Sequence, residues 1–276
     1  MQDNRRSQYE LPDHALPPGY VHQVFNELGS TMDAVDAVMR GPAEQRKHGL
    51  VVQALTQVRG TGTNGRRWES PAGNLYFSML IEQKKVHHRT LALLAALAVI
   101  QAAEEVSITP VPTFKMPNDV LIDDAKLCGI LAEKSLTYDG FANIGIGINV
   151  HNVPVLADAR NTATSLAEHG WPRSHPAEDF LGMFLERFEH GYRCSQMSQS
   201  HVFVELGAVN PADDVLTIRN AQDEEISGQF AGFLTEEDGK DYLLISSKNG
   251  TQRSNIREAS VKLLDGRWTS RYPYPS

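Results

Sequence analysis

Residues 59–67, RGTGTNGRR, hold three glycines and three arginines in nine positions. Gly60, Gly62 and Gly65 allow positive φ and a close approach of backbone to a ligand. Arg59, Arg66 and Arg67 carry a fixed positive charge that suits a phosphate or carboxylate. Together they read as a cradle for an anion. Gly60 to Gly65 also has the G-x-G-x-x-G spacing of a dinucleotide site, which works only when the third glycine opens a helix that meets the pyrophosphate. Pro71 and Gly73 follow at once and break any helix, so that reading is set aside. A basic surface hairpin is the plain alternative.

A second chemical stretch is KMPNDVLIDDAKLCGILAE, residues 115–133. Lys126 stands beside an apolar run at the start of a strand, where a lysine is ordinarily a solvated gatekeeper. Its neighbours argue for more. Gly129 removes a side chain where something approaches, and Gly145 and Gly147 thin the later run ANIGIGINV in the same way, leaving room above a sheet. Ser30 and Thr31 fit a plain helix N-cap, and a helix start also presents free N–H groups and hydroxyls to a carboxylate or urea-like ligand.

These groups need a frame. Val51 to Leu55 reads as a buried strand, and Leu75 to Ile81 as a second one across the loop. Val21 to Phe25 suits a short strand, and the helix capped by Ser30-Thr31 runs to about Met39 before Gly41-Pro42 ends it. Thr90 to Val106 is a helix capped by Thr90, with Leu91, Leu94, Ala95, Ala98 and Val99 as its apolar face. Pro117-Asn118-Asp119 forms a turn, Val120 to Ile122 a strand, Asp123-Asp124 a hairpin tip and Lys126 to Glu133 the returning strand. Residues 151–162 make a loop long enough to be a lid, and Thr164-Ser165 caps a short turn to His169-Gly170. A helix starting at Ser174 and Pro176 carries Phe180, Phe184, Phe188 and Tyr192 as a core stripe. Short strands follow at Val215 to Ile218, Glu225 to Phe233, Tyr242 to Ser246 and Val261 to Leu264, spaced as a small all-β barrel. The expected division is a flexible tail 1–19, a catalytic domain 20–205, a barrel 206–264 and a loose tail 265–276.

The 276-residue chain, 41% apolar and 22% charged, is ordinary globular material. Its formal net charge of −8 gives no overall attraction for nucleic acid or anionic membrane. Cys128 and Cys194 make neither a disulfide framework nor a metal set, which favours a reducing compartment. The longest apolar run, Leu91 to Ile100, is too short to span a bilayer, and the first residues are no signal peptide. The expectation is a soluble cytoplasmic protein.

Four motifs in order, Ser30-Thr31, then Gln57 to Ser78 with GTGTNGRRWESPAGNLYFS, then KMPNDVLIDDAKLCGILAE, then GIGINV, resemble the biotin protein ligases. The resemblance covers roughly residues 20 to 264. It implies an α+β fold, a mixed β-sheet packed on helices followed by a small SH3-like β-barrel. It also implies a two-step reaction in which biotin and MgATP give biotinyl-5′-AMP and pyrophosphate, and a lysine on the biotin carrier domain of a carboxylase then takes the acyl group. By the family's pattern Ser30, Thr31, Gln57, Gly60, Gly129, Ile130 and Leu131 would hold biotin. Gly62, Thr63, Asn64, Gly65, Arg66, Trp68, Asn118 and Asn149 would hold ATP or the adenylate, and Lys126 would touch both. Lys126, Arg66 and Asp119 are the catalytic candidates, with Asp119 helping to deprotonate the incoming lysine. Magnesium is expected through the ATP phosphates.

The chain departs from the family at Thr61 and Thr63, where arginine is usual, at Met116, where tryptophan is usual, and at Met32, where asparagine follows Ser-Thr. Either Arg59 or Arg67 substitutes for the lost arginine, or the adenylate leaks and labels nearby lysines. Only 29 residues precede Ser30, too few for a helix-turn-helix plus a strand, so no DNA partner is expected. The resemblance admits a homodimer. A lipoate or octanoate ligase, which would want a long apolar tunnel, and a non-catalytic binder of biotin or its adenylate are the competing readings.

Overall fold

Aliphatic and β-branched runs make the first three strands, β1 Val21–Leu28, β2 Leu50–Gln57 and β3 Leu75–Glu82, with helix α1 Thr31–Arg40 between β1 and β2. The computed structural model describes residues 10–83, 86–134, 140–154, 162–208, 214–237 and 240–268. Helix α2 is His88–Glu105, and it is followed by β4 Thr113–Lys115, β5 Asp119–Ile122, β6 Ala125–Lys134 and β7 Phe141–Ile148. The seven strands form one sheet in the order β1-β2-β3-β7-β6-β5-β4. Only β1 and β2 run parallel; the remaining neighbours are antiparallel. Helix α3, Ala177–Met197, packs beside α2 on one face of the sheet, and α1 covers part of the other.

The two faces follow from alternation. Phe77, Met79 and Ile81 of β3 join the large core beneath α2 and α3, whereas Leu80 joins Leu50, Val52, Val35 and Met39 beneath α1. The aromatic stripe of α3 is core as expected: Phe180, Phe184 and Phe188 are fully buried and Phe77 meets Phe184 edge-on at 5.2 Å. Helix α2 departs from the expected one-faced pattern, since nearly every side chain from His88 to Val99 is buried. It is enclosed by β6, α3 and the short helix α4, His201–Glu205, which the sequence reading missed. Its cap is His87 rather than Thr90: the His87 Nδ1 accepts from the Arg89 N–H at 3.1 Å, and Thr90 lies fully buried in the first turn. No helix among the described residues is long and apolar enough to cross a membrane.

The C-terminal strands are β8 Leu216–Arg219, β9 Glu225–Thr235, β10 Asp241–Ser247, β11 Gly250–Asn255 and β12 Ser260–Val261. The expected closed barrel is instead an open antiparallel sheet, ordered β11-β10-β9-β8-β12 with β11 and β12 at its edges. A two-residue last strand has no length with which to close on β11. Leu216, Ile218, Leu243 and Ile245 join the large core, so this sheet is continuous with the rest of the molecule. Two expected tails are partly folded. Leu11 and Leu16 pack on the core, and Lys262 bridges to Trp268 through a turn at Asp265 and Gly266. Residues 1–9 and 269–276, and 155–161 of the expected lid, lie outside the described residues.

Two histidines are built in as neutral. The Nδ1 of His22 accepts from the Leu11 N–H at 3.0 Å, so its Nε2 carries the proton toward Gln53 Oε1 at 2.9 Å. His87 is likewise an acceptor at Nδ1 and contacts Thr235 Oγ1 through Nε2 at 3.1 Å. Burial pushes both down to about 4. An unfolded histidine takes its proton near pH 6.5, so between that pH and 4 the unfolded chain binds more protons and stability falls with pH. The unfolding free energy from urea titrations should therefore drop from pH 7 to pH 5, by about 2 kcal/mol for each histidine. His22→Asn and His87→Asn should each flatten the profile, and a flat wild-type profile would sink the assignment.

Candidate functional site

Two rows of cross-strand neighbours cross the sheet on its α1 face. In the first, Asp119 pairs with Gly129, Gly129 with Gly147, and Gly147 with Tyr76. In the second, Leu131 pairs with Gly145, Gly145 with Ser78, and Ser78 with Val52. The glycines make a trough in the middle of an otherwise filled surface. Trp68 lies in it: a methyl added at Gly129 would sit 2.7 Å from Cζ3 of the indole, and one at Gly147 2.6 Å from its Nε1. Neither position tolerates a side chain while the ring is there. The indole Nε1 is buried without a hydrogen-bond partner among the described residues.

Lys126 reaches this face through an irregularity. Val120 pairs with Cys128 but Leu121 pairs with Lys126, so Leu127 is an extra residue in β6. A β-bulge of this kind re-aims the side chains beyond it. Lys126 and Gly129, three apart and destined for opposite faces of a regular strand, thereby share one. The tip of the hairpin, Asp123-Asp124, has positive φ at both residues, 48° and 64°, the geometry of a tight two-residue connection that aspartate accepts better than most side chains. The Lys126 Nζ lies 2.7 Å from Asp119 Oδ1 and 5.1 Å from the Trp68 ring centroid. Its main chain is held as well, by Thr162 O and Thr164 N and by the Asn149 side chain on its carbonyl.

The other end of the cleft is a neutral hydrogen-bond network. Ser30 caps α1, its Oγ accepting from Met32 N. Gln57 Oε1 accepts from Thr31 N at 2.8 Å and from Thr31 Oγ1 at 3.3 Å, while its Nε2 donates to Ser70 Oγ. Ser78 Oγ donates to Thr31 Oγ1 at 2.8 Å. Sequence reasoning passed over Ser70 and Ser78, which look like ordinary polar residues until the register brings them here. Between the ends, Asn118 donates through Nδ2 to Ile130 O, leaving a buried Oδ1 with no partner among the described residues.

Ser30, Thr31, Gln57, Gly62, Thr63, Trp68, Asn118, Lys126, Gly129, Ile130 and Leu131 all line this cleft, as do Thr61 and Met32. Gly60 lies just behind it, where a methyl would meet Trp68 O at 2.5 Å because Trp68 N bonds back to Gly60 O. The expected arginine cradle is not assembled in this state. Arg59 stands 3.7 Å from Asp33, Arg67 pairs with Glu69 at 3.0 Å, and Arg66 is exposed outside the cleft lining. Gly65 is also outside that lining, and nothing is described for the Asn64 side chain. Asn149 does not face the cleft but braces Lys126 O and Thr164 O. With Trp68 and Met32 in place, about 40 Å³ is left, room for roughly two or three waters. A larger ligand needs Trp68 to move out of the trough, while Met32 can keep its place over Gly145.

The arrangement offers one cation beside a carboxylate, a flat aromatic wall and, farther along, neutral donors and acceptors. It suits an acid with a polar, uncharged head. Residues 29–150 match the model of the biotin/lipoate A/B protein ligase family. The bifunctional ligase/repressor BirA of Bacillus spizizenii is 30% identical over 250 residues, spanning 88% of this chain and 74% of that protein. The biotin--[acetyl-CoA-carboxylase] ligase of Mycobacterium tuberculosis is 34% identical over 153 residues, 53% of this chain and 55% of that one. Among solved structures, the biotin protein ligase of Aquifex aeolicus in complex with biotin and ATP shares the fold, with a TM-score of 0.61 at 24% identity over 88% of this chain and 98% of that one.

Proposed function

This chain belongs to the biotin protein ligase family, and from that premise we propose how its cleft activates biotin with ATP and delivers it to a carrier lysine of a biotin-dependent carboxylase. The observation that carries the reading is the Lys126–Asp119 pair at one end of a glycine trough whose other end is the Thr31–Gln57–Ser78 network. The network suits the neutral ureido head of biotin, and Lys126 suits its carboxylate. In the first step a carboxylate oxygen attacks the ATP α-phosphorus and pyrophosphate leaves. Two anions must meet, so a fixed cation is worth most there. Lys126 supplies it, with Arg66 and the backbone N–H groups of residues 60–65 closing over the phosphate from the loop.

In the second step the carrier amine attacks the acyl carbonyl, a proton is lost from nitrogen and AMP leaves. Asp119 is neutralised by Lys126 before ligand arrives. Once Lys126 turns to the phosphate, the carboxylate becomes available to the incoming amine, whose ordinary pKa of about 10.4 makes it a poor nucleophile. Asn118, its neighbour in the chain, has an Oδ1 acceptor with no donor among the described residues. Among the described residues the only grouping with metal-ligand spacing is His87, His88 and Asp241, where α2 meets β10 and outside the cleft lining. The cleft does not fit a protein-ligated magnesium, which would enter on the ATP phosphates with its waters. The two cysteines are free, which suits the cytoplasm.

The test is ATP- and biotin-dependent transfer to a biotin carrier domain, read by mass spectrometry. One biotin on one carrier lysine is the expected result. Scattered labelling would mean that Thr61 and Thr63, uncharged in the cleft lining, release the adenylate. No labelling while biotin still binds would leave a binding protein.

A further inference from the structure

Met32 is buried but belongs to neither apolar cluster of the molecule. Its thioether lies over Gly145, where an added methyl would come within 2.6 Å of Sδ and 2.9 Å of Cγ. The next atom that methyl would meet is Ser78 Oγ at 3.6 Å, an ordinary contact. Gly145 therefore opens a slot in the sheet surface, and Met32 fills it. The slot is in the second cross-strand row, beside the Thr31 and Ser78 hydroxyls, whereas Lys126 and Asp119 belong to the first. It is thus at the neutral head end of the cleft, away from the charged end. The main chain at Met32 is pinned, since Asn143 Nδ2 donates to Met32 O at 3.0 Å and to Asp36 Oδ1 at 2.9 Å. Only the unbranched side chain is left to adapt.

We propose that Met32, seated in the slot left by Gly145, is the specificity-determining residue for the ring end of the acid substrate, setting the size of ring system the cleft admits. The inference rests on the ligase reading above. Methionine and glycine trade volume at this point. With the thioether in the slot the ring has its space, and with the slot filled the thioether is pushed into the cleft.

The experiment uses the full chain, with biotin and a ring-methylated biotin as substrates, pyrophosphate release as the rate and melting temperature as the control of fold. Met32→Ala should shift the ratio of kcat/KM toward the methylated analogue by about tenfold or more, the scale of one methyl in an apolar pocket. Gly145→Ala should weaken biotin use by about tenfold through KM, with little change in melting. The double variant Met32→Ala/Gly145→Ala should recover biotin use to the level of Met32→Ala, because the methyl then has no thioether to displace. An unchanged substrate ratio in Met32→Ala, or a double variant as impaired as Gly145→Ala, would overturn the assignment while leaving the ligase reading intact. A wild-type chain that releases no pyrophosphate with biotin would overturn the ligase reading, and this inference with it.

Discussion

Lys126→Ala will lose biotin activation by a factor of about 10³ while the chain stays folded. The scale is that of removing one preorganised charge-stabilising donor from a catalytic site. Among the described residues no other cation lines the cleft in this state, since Arg59 and Arg67 stand by acidic neighbours and Arg66 is exposed outside the lining. The fold should survive because Lys126 is anchored through its main chain, by Thr162, Thr164 and Asn149, and those bonds do not depend on the side chain. Pyrophosphate release and carrier labelling measure the loss, and biotin binding by calorimetry separates it from loss of substrate. Asp119→Asn divides the two steps: activation should largely persist, while transfer from preformed adenylate should slow. If Lys126→Ala kept even a tenth of the wild-type rate, the cation would have to come from the loop, and the arrangement of Arg66 would need rethinking.

The second large effect lies outside the cleft lining. Asp241→Ala should destabilise the protein by about 3–5 kcal/mol, the cost of removing one partner of a buried charge pair. The Asp241 side chain is 3% exposed and receives Arg89, His88 and Thr235, the last at 2.6 Å. Burial opposes its ionisation, but the hydrogen bond from His88, the charge of Arg89 and the hydrogen bond from Thr235 outweigh it, holding the carboxyl well below the usual carboxylate range. This contribution is present above about pH 4 and is lost as pH falls below that, a more acidic window than that of the two neutral histidines. Arg89 and His88 open α2, and Asp241 opens β10, so the pair joins the C-terminal sheet to the main domain. Urea unfolding gives the magnitude, and hydrogen exchange should show early opening of β9 and β10. A loss under 1 kcal/mol would mean that apolar packing of Phe203 on Phe230 and Phe233 suffices to dock the sheet.

Local chemistry was the legible part of this fold. The strands around the glycine loop, the Ser30 cap, the Asp123-Asp124 tip and the Ser165 to Gly170 turn are each set by a few adjacent residues, and each stands where the sequence places it. What was not legible is set by register. Nothing in AKLCGILAE announces that Leu127 bulges, yet the bulge is what turns Lys126 to the cleft. Gly129, Gly145 and Gly147 were visible as gaps, but that Trp68 fills two of them and Met32 the third depends on pairing between strands distant in sequence. Helix α2 misled because a helix enclosed on all sides has no polar face to show its orientation. The arginines were legible only as a class of ligand, since charge type does not say where a long, solvated side chain points.

Trp68 has a consequence of an optical kind. The other two tryptophans report from elsewhere: Trp171 is buried edge-on against Phe180 at 5.7 Å, and Trp268 lies under the Arg219 guanidinium at 4.1 Å on the C-terminal sheet. Trp68 alone shares its space with whatever occupies the cleft. An indole that must be displaced by an incoming ligand, with an ammonium over its ring, is a fluorophore whose emission is tied to occupancy. The chain thus carries three spectrally addressable probes in three structural regions, and a form retaining only Trp68 would let the filling of the cleft be followed without any label.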